Sequence, residues 1–308
     1  MWVVRVIKWT LLAIVLVFVG RSLWQNLRQV DFSAVRVAPV ALAGSLITIT
    51  AIYLMQMLSY RFLLASYARK LPWRVMMAVA WVPILGKYVP GKVAAIAGAV
   101  LLLRRFGIGA AVALSVVLVL DGLAVLAGLM LGSRLLLLPE MRETVLGGWV
   151  LTAAVIVGGL ICVAPPIYGR LVNLALRILR RPPLPRSPTL REYALPAFTA
   201  VMQWVFSGTG LWLMCHALGA EPHLADWPMF VSVAALAMTV SYLALFAPGG
   251  IGVREGIFML GLGPIIGLPA ASVVVVAMRI AHTLIELLLS AIGWACLRSI
   301  PPAREAGS

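Results

Sequence analysis

Ionisable residues inside otherwise apolar segments are the first candidates for chemistry in this chain. Asp121 lies near the middle of one apolar stretch, and Arg279, His282 and Glu286 lie in another. Their i, i+3 and i+7 spacing places the last three on one face of a helix. Charged groups in apolar surroundings are costly, so they usually face a polar path or a partner. They could contact a substrate, carry a proton, or form a structural pair between Arg279 and Asp121 or Glu286.

Two interruptions rich in glycine and proline break other apolar stretches. Gly86-Lys87-Tyr88-Val89-Pro90-Gly91-Lys92 lies within Val75 to Leu103, and Pro248-Gly249-Gly250-Ile251-Gly252-Val253-Arg254-Glu255-Gly256 lies within Pro228 to Gly267. Glycine permits positive φ and close backbone approach, and a helix starting near Val253 would direct its positive end into the gap. The second interruption therefore favours an anion.

The charged residues of both interruptions could bind such an anion. Arg254 supplies a guanidinium for phosphate or carboxylate, and Glu255 can neutralise it in an empty site. Alternatively the loop is a plain turn with an interfacial ion pair, and Lys87 and Lys92 extend to the membrane surface. The candidate binding residues are Lys87, Tyr88, Pro90, Gly91, Lys92, Gly249, Gly250, Gly252, Arg254 and Glu255. Asp121, Arg279, His282 and Glu286 are expected to line or gate the path.

The composition predicts a polytopic membrane protein. Sixty-three per cent of the 308 residues are apolar, 11% are charged, and the mean hydropathy is +1.05. Several stretches reach the roughly 20 residues that cross a bilayer, and they are continuously apolar, unlike barrel strands. The fold class is thus all-α, a single transmembrane domain over 1–308. The net charge of +15 fits membrane topology rather than nucleic-acid binding.

About six full spans and two re-entrant hairpins are predicted. The spans are Val3 to Trp24, Val37 to Leu58, Gly107 to Gly132, Val145 to Pro165, Ala194 to Ala217 and Ala270 to Leu297. The arginine-rich loop, 166–193, should be cytoplasmic, which places both termini inside a cell (inner) membrane. Pro90-Gly91 and Pro248-Gly249 match at an offset of 158, which suggests inverted halves, 1–144 and 145–300. Alternatively Pro228 to Ala247 forms a complete span.

Several catalytic and metal-binding patterns are missing from the sequence. It has no phosphate-binding P-loop, no His-Glu-x-x-His and no Gly-x-Ser-x-Gly. His282 and Glu286 alone are too few ligands to predict a metal site, and Cys162, Cys215 and Cys296 fall in apolar segments. No cofactor or metal is therefore predicted.

The two interruptions, Arg104-Arg105 and the segment from Arg279 to Glu286 resemble the lysylphosphatidylglycerol synthase transmembrane region family, over about Val37 to Leu297. This family includes the flippase half of aminoacyl-phosphatidylglycerol synthase-flippase proteins and stand-alone relatives linked to hopanoid or glycolipid pathways. The resemblance implies that a lipid crosses the bilayer through a cavity between repeats. Only Pro301 to Ser308 follow the last span, so we expect no aminoacyl-transferase domain here.

These observations predict a lipid flippase that moves a phospholipid, or another anionic or zwitterionic lipid, between leaflets. The expected partners are the membrane lipid, a separate lipid-synthesis enzyme and a second copy of the chain. One alternative is an intramembrane enzyme acting on a lipid or polyprenyl headgroup, with His282 and Glu286 or Asp121 as acid and base. Another is a non-transporting scaffold that docks through its basic loop.

Overall fold

The computed structural model describes residues 37–88, 93–137, 148–178, 180, 183, 189–244 and 252–300. These residues form ten α-helices, three 3₁₀ helices and no strand. The α-helices are α1 (Pro39–Tyr67), α2 (Trp73–Trp81), α3 (Val93–Arg105), α4 (Ala110–Gly132), α5 (Gly148–Val163), α6 (Pro165–Ile178), α7 (Leu190–Ala217), α8 (Trp227–Leu243), α9 (Val253–Ile266) and α10 (Leu268–Arg298). The 3₁₀ helices are Val82–Tyr88, Ser133–Leu137 and Leu224–Asp226.

Four helical segments of the described chain are long and apolar enough to cross a membrane. They are Pro39–Tyr67, Ala110–Leu137, Leu224–Leu243 and Leu268–Arg298. The α5–α6 pair, bent by 82°, makes a fifth if it is counted as one span. Lipid cannot satisfy backbone hydrogen bonds, so a helix is the form that such segments adopt. The chain is a multi-pass membrane protein, as its composition predicts.

The six predicted full spans are only partly found. Those at Val37 to Leu58, Gly107 to Gly132 and Ala270 to Leu297 are long apolar helices, whereas Val3 to Trp24 lies outside the described residues. The region from Ala194 to Ala217 is one helix, α7, whose 28 residues extend about 42 Å. It is less apolar than the four helices above, because it carries Gln203 and several hydroxyl and glycine residues.

At the first interruption, the described residues before position 89 change from an α-helix to a 3₁₀ helix. α2 continues into the 3₁₀ helix Val82–Tyr88, and this segment packs against α3. Gly86 makes that approach possible, because a Cβ there would lie 2.6 Å from the backbone nitrogen of Ala95. No other residue type fits this contact without a backbone shift.

The second interruption separates α8 from α9, which pack against each other. α9 begins after Gly252, whose φ of 84° favours glycine. With 14 residues, α9 extends about 21 Å and is too short to cross the bilayer alone. The segment Leu224–Leu243 does have sufficient length, so the alternative of a complete span over Pro228 to Ala247 fits the structure.

Helices from the earlier part of the chain, α1 to α4, pack against helices from the later part, α7 to α10. α1 and α7 pack together extensively, α4 packs against α8, and α10 packs against α2. The buried core runs through these contacts and includes Ile49, Met76, Val116, Leu211 and Phe230. The broken helices are thereby held between long ones.

The stretch 166–193, predicted to be a loop, begins instead with helix α6. Tyr168, Val172 and Leu176 recur at i, i+4 and i+8, and all three are buried. The Tyr168 hydroxyl donates a hydrogen bond to the carbonyl of Val119 at 2.6 Å. This apolar stripe is a helix signal that the arginine content of the stretch obscures.

Candidate functional site

Residues of both interruptions contact one buried face of helix α10. Arg279, His282 and Glu286 lie on that face, as their spacing predicts, and each is at most 5% exposed. Lys87, in the 3₁₀ helix after α2, forms an ion pair with Glu286. Glu255, at the start of α9, forms an ion pair with Arg279. The seven-residue separation puts these two contacts about 10 Å apart along α10.

Glu286 is fully buried and fully partnered. Lys87 forms an ion pair with its Oε1, and the hydroxyl of Tyr53 donates to the same oxygen. The hydroxyl of Tyr88 donates to Oε2 at 2.8 Å. A buried carboxylate needs such neighbours, because burial otherwise disfavours its charged form. The ion pair and hydrogen bonds of Glu286 thus attach the first interruption to α10.

Arg279 pairs with Glu255. Its Nη1 lies 2.6 Å from Glu255 Oε1, while the other carboxylate oxygen accepts the backbone N–H of Gly252 at 2.8 Å. The alternative in which Arg279 pairs with Asp121 or Glu286 is not the arrangement of the described residues, because Arg279 is paired with Glu255 of α9. Glu255 also occupies one backbone donor at the α9 N-terminus, a position predicted to attract an external anion.

Arg254 is buried, and its one ion pair among the described residues is long. It is 7% exposed, and its Nη2 lies 3.5 Å from Glu255 Oε1, the oxygen already bound to Arg279. Among the described residues, its Nη1 hydrogen-bonds to the sulfur of Met238, at 3.7 Å, and its Nε has no hydrogen-bond partner. A desolvated guanidinium with unused donors attracts an anion strongly.

A cavity of about 280 Å³ lies beside these groups. Its walls come from α1 to α4, from the 3₁₀ helix after α2, and from α7 to α9. Its polar lining residues are Tyr53, Gln56, Tyr60, Lys87, Asp121, Gln203, Trp204, Thr239, Ser241, Tyr242 and Arg254. This volume lies near the lower end of the range for small-molecule sites, so a lipid headgroup fits but two acyl chains do not.

The structure brings Asp121 into the same cavity as Lys87 and Arg254. Asp121 Oδ2 accepts a hydrogen bond from the hydroxyl of Tyr242 at 2.7 Å. Sequence reasoning missed Tyr242 and the α1 residues Tyr53, Gln56 and Tyr60. The signal was present, because these three polar residues recur at i, i+3 and i+7 within an apolar span.

The other predicted site residues are not in the cavity lining. His282 and Glu286 do not line the cavity themselves, although Glu286 contacts Tyr53 and Lys87, which do. His282 Nδ1 lies 3.5 Å from the hydroxyl of Tyr53. The acid–base role of the enzyme alternative therefore gains no support. In the described ranges no three His, Cys, Asp or Glu side chains gather to hold a metal. Pro90, Gly91, Lys92, Gly249 and Gly250 lie outside the described residues.

A known protein family matches most of the chain. The family model described as the lysylphosphatidylglycerol synthase TM region matches residues 5–293. The match covers the resemblance noted from the motifs and extends it toward the N-terminus. No curated protein matches the chain.

Proposed function

We propose that this chain, which belongs to the lysylphosphatidylglycerol synthase TM region family, moves a lipid with an anionic or zwitterionic headgroup between bilayer leaflets. The observation that carries the proposal is Arg254, a buried guanidinium that lines a headgroup-sized cavity and whose Nε has no hydrogen-bond partner within the part of the chain that the structure describes. A membrane-embedded cation of this kind marks a substrate path rather than a structural pair.

The headgroup phosphate binds Arg254 in this account. A guanidinium can donate two parallel hydrogen bonds to phosphate, which fixes the orientation of the headgroup. Lys87 lines the same cavity but is already paired with Glu286. It therefore contributes to binding through its positive electrostatic potential more than through direct contact with the phosphate. The acyl chains stay in the bilayer, since the cavity volume admits only the headgroup.

An inverted repeat would give the headgroup access from either leaflet. Each proposed half contains a long helix, a broken pair and another long helix: α1, α2–α3 and α4, then α7, α8–α9 and α10. The packing of α4 on α8 corresponds to that of α10 on α2. Asp121 and Arg279 are also 158 residues apart, the offset of the two Pro-Gly pairs. These correspondences support the repeat.

We propose further that the chain lies in the cell (inner) membrane, with both termini on the cytoplasmic side. The support is the charge distribution: arginines crowd the stretch 166–193, whereas Gly219 to Trp227 holds Glu221 and Asp226 and no lysine or arginine. Short loops rich in Lys and Arg stay in the cytoplasm.

Transbilayer movement in reconstituted vesicles tests the proposal. Phospholipids labelled with a dithionite-sensitive fluorophore on an acyl chain leave the headgroup unmodified. Wild-type protein should let dithionite bleach the inner-leaflet label quickly, whereas empty vesicles should retain about half of the fluorescence. Arg254→Ala should resemble empty vesicles. If wild-type vesicles retain the label with anionic and zwitterionic phospholipids alike, the chain is not a flippase of these lipids.

A further inference from the structure

Helix α6 carries two apolar stripes, and only one of them packs against the protein. The inner stripe is buried and consists of Tyr168, Val172 and Leu176. The outer stripe consists of Leu171, Leu174 and Ile178, which are 41%, 52% and 74% exposed. The i, i+3 and i+7 spacing of these last three places them on one face of the helix. The part of the chain that the structure describes thus leaves the outer stripe uncovered.

Two arginines flank the outer stripe. Arg170 and Arg177 are both exposed, and their seven-residue spacing puts them on one face of α6. At about 3.6 residues per turn, this face is rotated by roughly 80° from the outer stripe and lies still farther from the inner one. Residues 165–180 include no aspartate or glutamate. The outer side of α6 therefore joins a positive face to an apolar face, which is the pattern of helices that lie on anionic membranes.

The bend between α5 and α6 sets the direction of α6. α5 is 16 residues long, about 24 Å, and exposes Val150, Val157 and Leu160 along its length. An apolar helix with such a surface faces lipid. Pro165 and Pro166 have no backbone N–H with which to continue its hydrogen-bond ladder, and α6 leaves α5 at 82°. A helix nearly perpendicular to a lipid-facing span runs along the plane of the bilayer.

In that orientation each face of α6 has surroundings that suit it. The inner stripe packs against the protein, where the Tyr168 hydroxyl donates to the carbonyl of Val119. The outer stripe reaches the acyl chains, and the arginines extend their apolar stems along the interface and their guanidinium groups to the phosphates. If α6 crossed the bilayer instead, both guanidinium groups would enter hydrocarbon, which is costly.

We propose that α6 is an interfacial helix that binds anionic lipid, with Leu171, Leu174 and Ile178 inserted among the acyl chains and Arg170 and Arg177 bound to headgroup phosphates. Two cations without an acidic neighbour on the same helix favour anionic over zwitterionic lipid. This surface is separate from the cavity and binds lipids that stay in their leaflet. The inference does not depend on lipid movement, so its failure and that of the flippase proposal are distinguishable.

Nitroxide labels test the orientation of α6. Single cysteines replace, one at a time, the three residues of the outer stripe and the two arginines, in full-length protein in vesicles of phosphatidylcholine and phosphatidylserine. Cys162 and Cys296 are changed to alanine, and the fully buried Cys215 stays. Collisions with oxygen, which partitions into hydrocarbon, and with a water-soluble nickel chelate report the depth of each label.

The outer-stripe labels should share one depth below the phosphates, and the labels at the arginine positions should be shallower. A depth that changes steadily from position 171 to position 178, which are about 10 Å apart along the helix axis, would overturn the proposal in favour of a transmembrane α6. Frequent chelate collisions at all five positions would overturn it in favour of a helix surrounded by water.

A fluorophore on Leu174→Cys tests the role of the arginines. Quenching by phosphatidylserine and by phosphatidylcholine, each with a nitroxide on an acyl chain, compares the association of the two lipids next to α6. Phosphatidylserine should associate about fivefold more strongly, which is the effect of one basic contact. Arg170→Gln with Arg177→Gln should bring this ratio near one. Arg170→Lys with Arg177→Lys keeps the charge and should keep most of the preference.

Arg104→Gln with Arg105→Gln is the matched control. These two arginines are exposed at the end of α3, and their removal changes the net charge by the same amount. The control should keep the preference for phosphatidylserine at position 174. An equal loss in both glutamine variants would show that the preference follows total charge, and equal association of the two lipids with the arginines present would show that α6 does not select anionic lipid. Either result would overturn the assignment of Arg170 and Arg177.

Discussion

The two interruptions meet the same helix, α10, but they handle charge in opposite ways. At the first, Lys87, Tyr53 and Tyr88 all converge on Glu286, which is 0% exposed and fully partnered. At the second, Glu255 is bound by Arg279 and by the α9 backbone, which leaves Arg254 with only a 3.5 Å contact to it.

This contrast separates anchoring from binding. A compensated buried pair is costly to disrupt because removing one partner strands the other. An under-partnered cation gives little to the stability of the empty protein and much to the binding of an anion. The first interruption should therefore matter chiefly for stability, and Arg254 chiefly for function.

The largest stability loss is expected for Glu286→Leu. The change removes the shared partner of Lys87, Tyr53 and Tyr88, and should lower the free energy of unfolding by about 3–5 kcal/mol. Denaturant titration in detergent micelles measures it. Glu286→Gln, which keeps one acceptor oxygen for a tyrosine and turns an amide N–H toward the other tyrosine oxygen, should lose less. A Glu286→Leu protein as stable as wild type would show that the first interruption is not anchored by this pair.

A smaller loss is expected for Glu255→Ala, about 2–4 kcal/mol, because the change strands Arg279 and removes a bond to the Gly252 N–H. Asp226→Ala is the matched control, since Asp226 Oδ2 accepts the backbone N–H of His223 at 3.0 Å and makes no ion pair among the described residues. That control should lose about 0.5–1 kcal/mol. Equal losses in the two variants would mean that the Arg279 pairing contributes nothing.

Two glycines offer a comparison of the interruptions themselves. Gly86→Ala should cost about 1–3 kcal/mol, because its Cβ would lie 2.6 Å from the Ala95 nitrogen. Gly252→Ala should cost about 1–2 kcal/mol, since its Cβ would meet no atom of the described residues within 4 Å and the φ of 84° opposes the change. Thermal unfolding in detergent compares the stability of the two variants. A Gly252→Ala loss well above that of Gly86→Ala would contradict the close packing at the first interruption.

The smallest stability change is expected for Arg254→Met, within about 1 kcal/mol of wild type. Its one ion pair among the described residues, with Glu255, is long, and Glu255 keeps Arg279 as a partner when Arg254 is removed. The same denaturant titration checks it. A loss comparable to that of Glu286→Leu would mean that Arg254 is a structural residue.

Sequence patterns predicted the long apolar helices and the face shared by Arg279, His282 and Glu286, because hydropathy and helical periodicity are local properties. They also located the Gly252 turn and the two interruptions. They did not predict that Glu255 binds Arg279, since that pairing depends on how α9 packs against α10. The helix α6 was overlooked because its charge outweighed its buried stripe of Tyr168, Val172 and Leu176.

The candidate site was predicted in part. Lys87, Asp121 and Arg254 line one cavity, although they lie on three separate elements. Gln203 was missed, because a single uncharged polar residue in an apolar span carries little signal, whereas Gln56 was missed although it shares a helix face with Tyr53 and Tyr60. Their common location appears only when α1 and α7 pack together.

The most direct measurement compares the rate of transbilayer phospholipid movement between two matched variants in dithionite-treated vesicles. Arg254→Met removes the under-partnered cation, whereas the double variant Lys87→Met with Glu286→Gln removes a compensated pair and leaves the net charge unchanged. We predict that Arg254→Met vesicles behave as empty ones and that the double variant retains most of the wild-type rate. Rapid movement in Arg254→Met with loss in the double variant would contradict the assignment of headgroup capture to Arg254.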